Sequence, residues 1–596
     1  MPKDTNEIKT TINSLNQRRT TQTNIMSTEG FYVEPEKEVK GPLLLLGYFG
    51  IFMMVIGLIV LFPLIMLIFY PSEVEMYRAF LVPGLLSFGI GVAASLTIFR
   101  RKQGRLTAFE DLILVIGVWV LMIFISCFPY MFYGYNFSQA FYESTSGYTG
   151  AGLSTIDWSR AELHVESAHM LHFFRAFNQF VGGVGLVLIV SSAVSASSGL
   201  NLYLLEGHND KLLPNLAKSA RMIFGIYLGI IAGGTLLYII VGVNPFDAIC
   251  HSMTAVATGG FSTYPGNVHE LVEVVSVNGA WRGVLTEIIT EILMLLGALN
   301  FVIHYSILRG KFKALKHFEM IVFFFILAFF VPIMIYGMAD YYGDFWQGVR
   351  YGLFESISAF STAGFQAVDN YQVHLVNGSS ITSATFVLLV LAILMSIGGQ
   401  SGSTSGAIKQ SRVALVFMDI YWRIKEATGK PENVRVYSVY RYGNRERVSK
   451  EEVREAQTYV GIYVAILFLG SLLLSIILHH LYRSNPSDTN NYNLATGTSF
   501  NFLECFFEYS STMGTVGLSV GISHAHTHSS ILWIELIGML LGRLEIFVFF
   551  TLGGKSIHFF RHKKNIYNPE KSKINQIDNS FTWAGEEKAP NKKKAS

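Results

Sequence analysis

A short phrase rich in glycine and hydroxyl residues occurs four times between long apolar runs, and it restricts the possible folds more than any other feature. The copies are ESTSGYTGAGLSTID from Glu143, HSMTAVATGGFSTYP from His251, ESISAFSTAGFQAVD from Glu355 and EYSSTMGTVGLSVGI from Glu508. They align without gaps on Gly152, Gly260, Gly364 and Gly517. This register indicates an internal repeat with one structural unit per copy.

The runs between the copies are long enough to cross a membrane. About 20 apolar residues span the core of a bilayer, and ten candidate runs lie near 42–70, 79–99, 109–134, 169–197, 220–243, 283–308, 318–340, 381–400, 457–480 and 531–560. The chain is 51% hydrophobic and 15% charged, with a mean hydropathy of +0.39, which is typical of a polytopic membrane protein. The first two runs form a pair. The other eight form four pairs, each bracketing one copy, which predicts a repeated unit of helix, short helix, glycine turn and helix.

Lysine and arginine are concentrated in alternate connections, which predicts the orientation of the chain. Basic clusters lie at 100–105, 211–221, 309–316 and 409–454, whereas the connections that carry the repeated phrase have few basic residues. The positive-inside rule places the basic connections in the cytoplasm. Both polar tails, 1–41 and 561–596, are then cytoplasmic with the composition of disordered segments, and all four copies enter from outside.

The repeated phrase predicts an ion pathway. Non-helical backbone at membrane depth occurs only where it is buried in protein or lines water. Four glycine turns around one axis would stack rings of carbonyl oxygens, which can replace the hydration shell of a monovalent cation. Short helices that run inward would also point their negative ends at the axis. The alternative is four re-entrant turns that only pack together.

Nine residues before each repeat glycine stands a titratable residue, and two interpretations of this column remain open. The column consists of Glu143, His251, Glu355 and Glu508. These side chains could be pore-helix residues that bond to neighbouring backbone. They could instead line the mouth of the pathway and raise the local concentration of cations.

A second anomaly, SIGGQSGSTSGAIK at 396–409, interrupts an apolar run. Each glycine costs a helix roughly 1 kcal/mol relative to alanine, so this segment should break into a loop at mid-membrane, next to water. Arg543 lies in another apolar run, where a charge is costly and should point inward. It could pair with Glu535 or Glu545 to hold the fold, or it could belong to a barrier in the pathway.

Other features of the sequence favour packing over chemistry. VGGVG at 181–185 could be mistaken for a nucleotide loop, but it lies in an apolar run with no preceding strand, so close helix packing explains it better. The three cysteines are far apart, which indicates packing positions and neither disulfides nor a metal site. They are Cys127, Cys250 and Cys505.

A membrane-embedded enzyme would need clustered ionisable groups at one depth, and neither HExxH nor an intramembrane Asp pair occurs. Four repeats in one orientation also argue against a transporter of two inverted halves.

From about residue 42 to 560 the chain resembles the Trk, Ktr and HKT superfamily of potassium transporters, and most closely the bacterial TrkH type. The stretches that carry the resemblance are FRAFNQFVGGVGLVLI at 174–189, FDAICHSMTAVATGGFST at 246–263, SIGGQSGSTSGAIKQSR at 396–412 and MLLGRLEIF at 539–547. GTVGLS in the fourth copy is more similar to the Ktr branch. Glycine at all four repeat positions favours potassium over sodium, because related proteins that conduct sodium carry serine at the first.

The resemblance implies a potassium-selective filter and a gate below it, with potassium bound at the filter as the only metal. The implied filter residues are Thr149, Gly150, Ala151, Gly152, Ala257, Thr258, Gly259, Gly260, Ser361, Thr362, Ala363, Gly364, Gly514, Thr515, Val516 and Gly517. The implied gate residues are Gly398, Gly399, Gln400, Ser401, Gly402, Ser403, Thr404, Ser405, Gly406 and Arg543.

The expected protein is an all-α polytopic membrane protein of about ten transmembrane helices, with four pore repeats around one pseudo-fourfold pore and an N-terminal helix pair. The expected parts are the tail 1–41, the pair 42–100, repeats at 101–200, 201–310, 311–420 and 456–560, a cytoplasmic connector at 421–455 and the tail 561–596. The expected function is potassium uptake across a plasma membrane, such as a bacterial inner membrane, without covalent chemistry or a bound cofactor. A sodium-permeable or sodium-coupled relative is the alternative, and passive and coupled flux both remain open.

The resemblance also implies partners. It suggests a homodimer in membrane lipid above a ring of nucleotide-binding regulatory subunits, TrkA-like or KtrA-like, and no nucleic acid. The basic segment 422–455 is the expected docking surface.

Overall fold

The computed structural model describes most of the chain between the two predicted tails. The described residues are 38–99, 101, 104, 106–185, 216–368, 381–428, 437–485, 499–544, 546, 547, 549, 550 and 554. Within them, the fold is built from α-helices, confirming the expected all-α membrane class. The predicted tails lie outside the described residues, except for 38–41.

The N-terminal pair consists of helices Pro42–Leu61 and Tyr77–Phe99, joined by the 3-10 segments Phe62–Ile68 and Pro71–Met76. The two helices touch through small residues. A Cβ atom on Gly50 would lie 2.5 Å from the amide nitrogen of Ser95, and one on Gly57 would lie 2.7 Å from the carbonyl oxygen of Gly84. Small residues let backbones approach closely, which is how helices associate without a hydrophobic driving force in lipid.

Each of the four repeats begins with a long apolar helix, which we call its first helix, and continues into a short helix, which we call its pore helix. The first helices are Ala108–Phe132, Leu216–Val241, Phe318–Tyr342 and Lys450–Ser484. The pore helices are Phe137–Thr149, Pro245–Val256, Phe345–Ser361 and Phe502–Gly514. Asn136, Asn244, Asp344 and Asn501 begin the pore helices, and each side chain accepts a hydrogen bond from the first turn.

Each repeat continues after its glycine turn into a second helix. These helices are His169–Val184, Ala280–Ala298, Ile381–Ser396 and Ser529–Arg543. Six described helices are long and apolar enough to cross a membrane, or seven if a bent pair counts as one span. The candidate span at 283–308 is not one straight helix, because Ala280–Ala298 and Phe301–Leu308 meet at 103°. Asn300 begins the new helix with its side chain accepting from the amide of Val302, and average hydropathy does not detect such a cap.

The VGGVG segment packs its glycines against two pore helices. A Cβ atom on Gly182 would overlap the carbonyl oxygen of Tyr148, and one on Gly183 would lie 3.2 Å from the Cα of Ala257. The segment therefore lies where the first two repeats meet, as close packing predicts. The three cysteines are buried and free.

Smaller elements complete the described fold. They are the helices Asn267–Ser276 and Gln410–Ala427 and the 3-10 turns Ala161–Leu163 and Phe312–Leu315.

The connector also contains a hairpin that the all-α prediction did not include. Strands Ser438–Arg441 and Asn444–Arg447 pair antiparallel, with Ser438 opposite Arg447. Tyr442 and Gly443 both have positive φ, which suits a two-residue hairpin turn.

We expect Gly182→Ala to destabilise the protein, because its new methyl group has no space beside Tyr148. Overpacking of this kind costs roughly 1–3 kcal/mol. Thermal unfolding of the purified protein in detergent measures the effect. The matched control is Gly229→Ala in the first helix of repeat 2, where a Cβ atom meets nothing within 4 Å. Equal melting temperatures for the two variants would contradict the close packing.

Candidate functional site

All four pore helices end in the same backbone cap. The residue two before the repeat glycine is left-handed in every copy, namely Gly150, Thr258, Thr362 and Thr515. The next amide bonds back to the carbonyl five residues earlier: Ala151 to Ser146 at 3.0 Å, Gly259 to Thr254 at 2.9 Å, Ala363 to Ser358 at 3.0 Å and Val516 to Ser511 at 2.9 Å. This is the Schellman arrangement, which turns the chain sharply at a helix end.

Three of these caps place threonine where glycine is usual. The φ angle is 51° at Thr258, 60° at Thr362 and 51° at Thr515. A residue held there is strained by roughly 1–3 kcal/mol, and such strain persists only where the surrounding structure fixes it. The hydroxyl of Thr258 donates to Thr404 Oγ1 at 3.1 Å, and that of Thr362 accepts from the amide of Gly406 at 2.9 Å. The caps therefore contact the glycine- and serine-rich loop.

The four repeat glycines close one ring. A Cβ atom on Gly152 would overlap the carbonyl oxygen of Gly259, one on Gly260 that of Ala363, and one on Gly364 that of Val516, while one on Gly517 would lie 2.7 Å from that of Ala151. Each glycine thus abuts the next repeat, and the fourth repeat returns to the first. All four have φ between 72° and 115°. Backbone oxygens from four segments therefore surround one axis, and a side chain at any of these glycines would displace one of them.

The titratable column nine residues before each repeat glycine contacts the segment that follows the glycine, which we call the outer segment of that repeat. Glu143 accepts from the amide of Thr155 at 2.8 Å, Glu355 from that of Ala367 at 2.9 Å, and Glu508 from that of Val520 at 2.9 Å. His251 faces the hydroxyl of Ser262 at 3.1 Å. All four side chains are fully buried. Of the two interpretations left open by the sequence, the structure supports the one in which they bond to neighbouring segments.

In the second repeat, an aspartate one turn earlier supplies the carboxylate that His251 lacks. Asp247 accepts from the hydroxyl of Thr263 at 2.7 Å and from that of Tyr264 at 2.9 Å. The imidazole of His251 also bonds through Nδ1 to the carbonyl of Asp247 at 2.9 Å. In each repeat, a buried carboxylate therefore joins the outer segment to the pore helix of the same repeat.

Arg175 joins the outer segments of the first two repeats. Its Nε lies 2.9 Å from Glu143 Oε1, and its Nη1 and Nη2 donate to Ser262 O at 3.0 Å and Ser154 Oγ at 2.9 Å. The guanidinium also lies 4.0 Å from the centroid of the Phe261 ring. Arg175 is 2% exposed, so this is a buried ion pair with satisfied hydrogen bonds. Sequence reasoning quoted this residue but assigned it no role.

Two amide side chains that the sequence analysis did not single out bond to the glycine turn of repeat 2. Gln179 donates to the carbonyl of Gly259 at 2.6 Å and accepts from the amide of Phe261 at 3.1 Å. Asn267 donates to the carbonyl of Gly260 at 3.3 Å. A polar residue within an apolar run was the available signal for Gln179, whereas Asn267 lies outside the repeated phrase.

A cavity of about 220 Å³ opens beside the ring of glycines. It is lined by Gly152, Gly260 and Gly517 and by polar side chains that include Ser519, Ser523 and His524. In the described part of the chain, no group of three or more His, Cys, Asp or Glu side chains is arranged to hold a metal ion. The oxygens that converge here are backbone carbonyls and hydroxyls, which suit a weakly held monovalent cation.

The glycine- and serine-rich segment forms a loop directly against the caps, on the side where the threonine hydroxyls lie. Ser405 Oγ donates to the carbonyl of Ser361 at 2.6 Å. Thr404 Oγ1 lies 3.0 Å from the carbonyls of both Val256 and Gly297. A Cβ atom on Gly406 would overlap Thr515 Oγ1. The loop therefore contacts the ends of three of the four pore helices, in repeats 2, 3 and 4.

The other predicted loop residues bond to the broken second helix of repeat 2 and to neighbouring backbone. The amide of Gln400 donates to Ala298 O at 3.0 Å, and its side-chain oxygen accepts from the amide of Asn300 at 3.0 Å. The amide of Ser401 donates to Glu319 at 3.0 Å. Backbone bonds also join Gly398 to Ile408, Gly399 to Gln410 and Gly402 to Phe301, and Ser403 Oγ donates to Gln400 O.

Arg543 links the loop to the first repeat. Its Nη1 donates to the carbonyl of Thr404 at 2.6 Å, and its Nη2 donates to that of Gly182 at 2.6 Å. Glu535, one of the partners considered from sequence, instead bonds to Tyr142 and Ser523. Glu545, the other, lies outside the described residues. The guanidinium therefore bridges the loop and the second helix of repeat 1.

These features define a class: a polytopic membrane protein whose four pore repeats converge on one axis, with a loop against the inner side of the ring. A family model described as a cation transport protein, TrkH, matches residues 87–320 and 371–556. The chain belongs to this family of cation transport proteins. This membership confirms both the resemblance read from the sequence and the expectation that the chain is not an enzyme.

Individual relatives agree with this assignment. An uncharacterized cation transporter of Methanocaldococcus jannaschii is 26% identical, over 88% of this chain and 98% of its own length. The Trk system potassium uptake protein TrkH of Escherichia coli is 25% identical, over 79% and 94%. The crystal structure of the potassium transporter TrkH from Vibrio parahaemolyticus has the same fold, with a TM-score of 0.67 at 21% identity, over 86% of this chain and 98% of that one.

We expect Arg175→Gln to destabilise the protein strongly, because it leaves Glu143 buried without a cation. Removing one partner of a buried pair costs roughly 3–5 kcal/mol. The double variant Glu143→Gln/Arg175→Gln removes the unpaired charge and should regain part of this loss. Thermal unfolding in detergent measures both. A double variant less stable than Arg175→Gln alone would contradict the role of the ion pair.

Proposed function

We propose that this chain carries potassium ions into the cell along the axis of the glycine ring. The proposed filter consists of residues 149–152, 257–260, 361–364 and 514–517. The observation that supports it most is the closed ring, in which each repeat glycine abuts a carbonyl oxygen of the next repeat. Rings of carbonyl oxygens can replace the hydration shell of potassium, and the C-terminal ends of four pore helices add partial negative charge nearby.

The names of the relatives support potassium as the ion. TrkH of Escherichia coli and that of Salmonella typhimurium are both named as Trk system potassium uptake proteins. Glycine at all four ring positions is consistent with this choice. Sodium permeation, the alternative drawn from the sequence, is an outcome that the first experiment below can reveal.

The proposed gate is the loop 398–406 together with Arg543. Thr404 accepts a hydrogen bond from Thr258, and Ser405 and Gly406 donate to Ser361 and Thr362, which holds the loop against the caps. Arg543 adds a positive charge at the same level. A cation leaving the filter would meet both, so conduction requires the loop to move. Because the loop also bonds to the broken helix of repeat 2, movement of that helix would shift the loop.

A cytoplasmic nucleotide-binding partner and a homodimer belong to the same proposal. The "Trk system" in the relatives' names supports a protein that works with other components. The connector 421–455 is the proposed docking segment. Its hairpin is tied to the body of the protein by a bond from the amide of Gly443 to the carbonyl of Lys316 at 3.1 Å, so a partner bound there could pull on the gate.

The first experiment compares rubidium and sodium uptake by wild type and Gly152→Ser, in cells that lack their own potassium uptake. The serine side chain would displace the carbonyl of Gly259. We expect the rubidium-to-sodium ratio to fall roughly tenfold, since about 1.4 kcal/mol between two ions changes a ratio by that factor. Gly229→Ser, with open space around it, is the control and should keep the wild-type ratio. An unchanged ratio in Gly152→Ser would count against the filter.

The second experiment tests the gate in cells that also lack regulatory subunits. Arg543→Gln removes the charge, and Thr404→Val removes the hydroxyl bonds to Val256, Thr258 and Gly297. Each weakens the closed arrangement by roughly 1–3 kcal/mol, so we expect rubidium uptake to rise several-fold in both. Arg78→Gln, on the exposed surface of the N-terminal pair, is the control. Wild-type uptake by both variants at equal membrane abundance would reject the gate.

A further inference from the structure

Two buried carboxylates lie behind the fourth filter segment and share one hydroxyl group. Ser523 Oγ lies 2.7 Å from Glu508 Oε1 and 2.8 Å from Glu535 Oε2. Tyr142, from the pore helix of repeat 1, places its hydroxyl 2.7 Å from Glu535 Oε2 and 3.2 Å from Ser523 Oγ. Both glutamates are fully buried. The filter mechanism proposed above uses Glu508 only as a brace and does not use Glu535.

Counting hydrogens shows that this arrangement needs an extra proton. A serine hydroxyl has one hydrogen, so it can donate to only one of the two carboxylates. The hydroxyl hydrogen of Tyr142 is donated to Glu535. With both glutamates ionised, one of the contacts of Ser523 would bring two oxygens together with no hydrogen between them. One proton on the pair lets a carboxyl donate to Ser523 while Ser523 donates to the other carboxylate. The three contacts of 2.7, 2.7 and 2.8 Å are then all hydrogen bonds.

The charges around the pair lead to the same conclusion. No described Lys, Arg or His forms an ion pair with Glu508 or Glu535, whereas Glu143 in repeat 1 has Arg175. The titratable groups nearby are Glu504, Cys505 and Tyr509 on the same pore helix, Tyr142 on the first, and His524 next to Ser523. Two carboxylates this close, without a buried cation, do not both ionise. Glu535 Oε1 is also buried without a hydrogen-bond partner.

We propose that Glu508 and Glu535, with Ser523 and Tyr142, form a proton-binding site that is open to the outer mouth of the pathway. The proton is shared by the pair and belongs to neither residue alone. Ser519 and Ser523 both line the cavity beside the glycine ring, and the hydroxyl oxygen of each lies 2.7 Å from Glu508 Oε1. The proton therefore exchanges with water in that cavity.

The proton supports the geometry of the fourth filter segment. Glu508 accepts hydrogen bonds from the hydroxyl of Ser519 and the amide of Val520. These residues stand two and three positions after Gly517. Glu535 and Tyr142 connect this brace to the first repeat. Loss of the proton would leave two like charges around one hydroxyl, and their repulsion would pull the brace apart. This effect on transport rests on the proposed function, whereas proton binding itself does not.

Infrared spectroscopy of the purified protein tests the site without any transport. At neutral pH we expect the band of a protonated carboxylic acid, lost at alkaline pH and absent from Glu535→Gln. The control Glu287→Gln should keep the band, because Glu287 is paired with Arg350 at 2.6 Å. Tyr142→Phe removes a donor to Glu535 Oε2, so we expect the pH at which the band is lost to change in this variant. If wild type has no such band, or if the band persists unchanged in Glu535→Gln, the proposal is overturned.

Rubidium uptake into proteoliposomes as a function of external pH tests the consequence. We expect wild-type uptake to fall on the alkaline side and Glu535→Gln to remain active there, because glutamine donates to Ser523 at any pH. A wild-type pH profile in folded Glu535→Gln would overturn the link between proton and filter. If wild type takes up no rubidium at any pH while the infrared band behaves as expected, the proposed function fails and the proton site is supported.

Discussion

The structure depends on one packing constraint: at each repeat glycine a carbonyl oxygen of the next repeat leaves no room for a Cβ atom, around a closed ring of four. No side chain fits at this contact, and all four residues are left-handed, so glycine is required for both reasons. The caps, the braces and the loop all serve to hold these four turns in place. A backbone that leaves helical geometry within a membrane must have its polar groups satisfied by protein or ions, and the ring provides the only described place where four such turns face one another.

The braces behind the ring share one position but use different chemistry. Repeat 1 neutralises Glu143 with Arg175, repeat 2 combines His251 with Asp247, and repeat 4 sets Glu508 beside Glu535. The ring of four turns is therefore similar in its backbone and asymmetric in its charges. In the proposed pathway this asymmetry would give separate repeats separate responses to pH, because a fixed ion pair resists changes in pH and the proposed shared proton responds to them.

Much of the fold could be predicted from the sequence, for identifiable reasons. Four copies in one register around Gly152, Gly260, Gly364 and Gly517 predicted turns that meet, since isolated turns at that depth would leave backbone groups unsatisfied. The glycines at 398–406 predicted a broken helix. The bend at Asn300 and the hairpin turn at Tyr442 and Gly443 escaped prediction because they depend on single caps and φ angles that hydropathy does not measure.

The sequence by itself determined the membrane class, the number of repeats and the positions of the four turns, because apolar length and glycine spacing are local properties of the chain. Only the tertiary structure decided what each polar side chain does. Arg175 meets Ser262, Gln179 meets Gly259, and Arg543 meets Thr404 across long stretches of sequence. Their roles follow from which groups are brought within 3 Å in a medium without water to compensate. Neither spacing nor composition encodes that proximity.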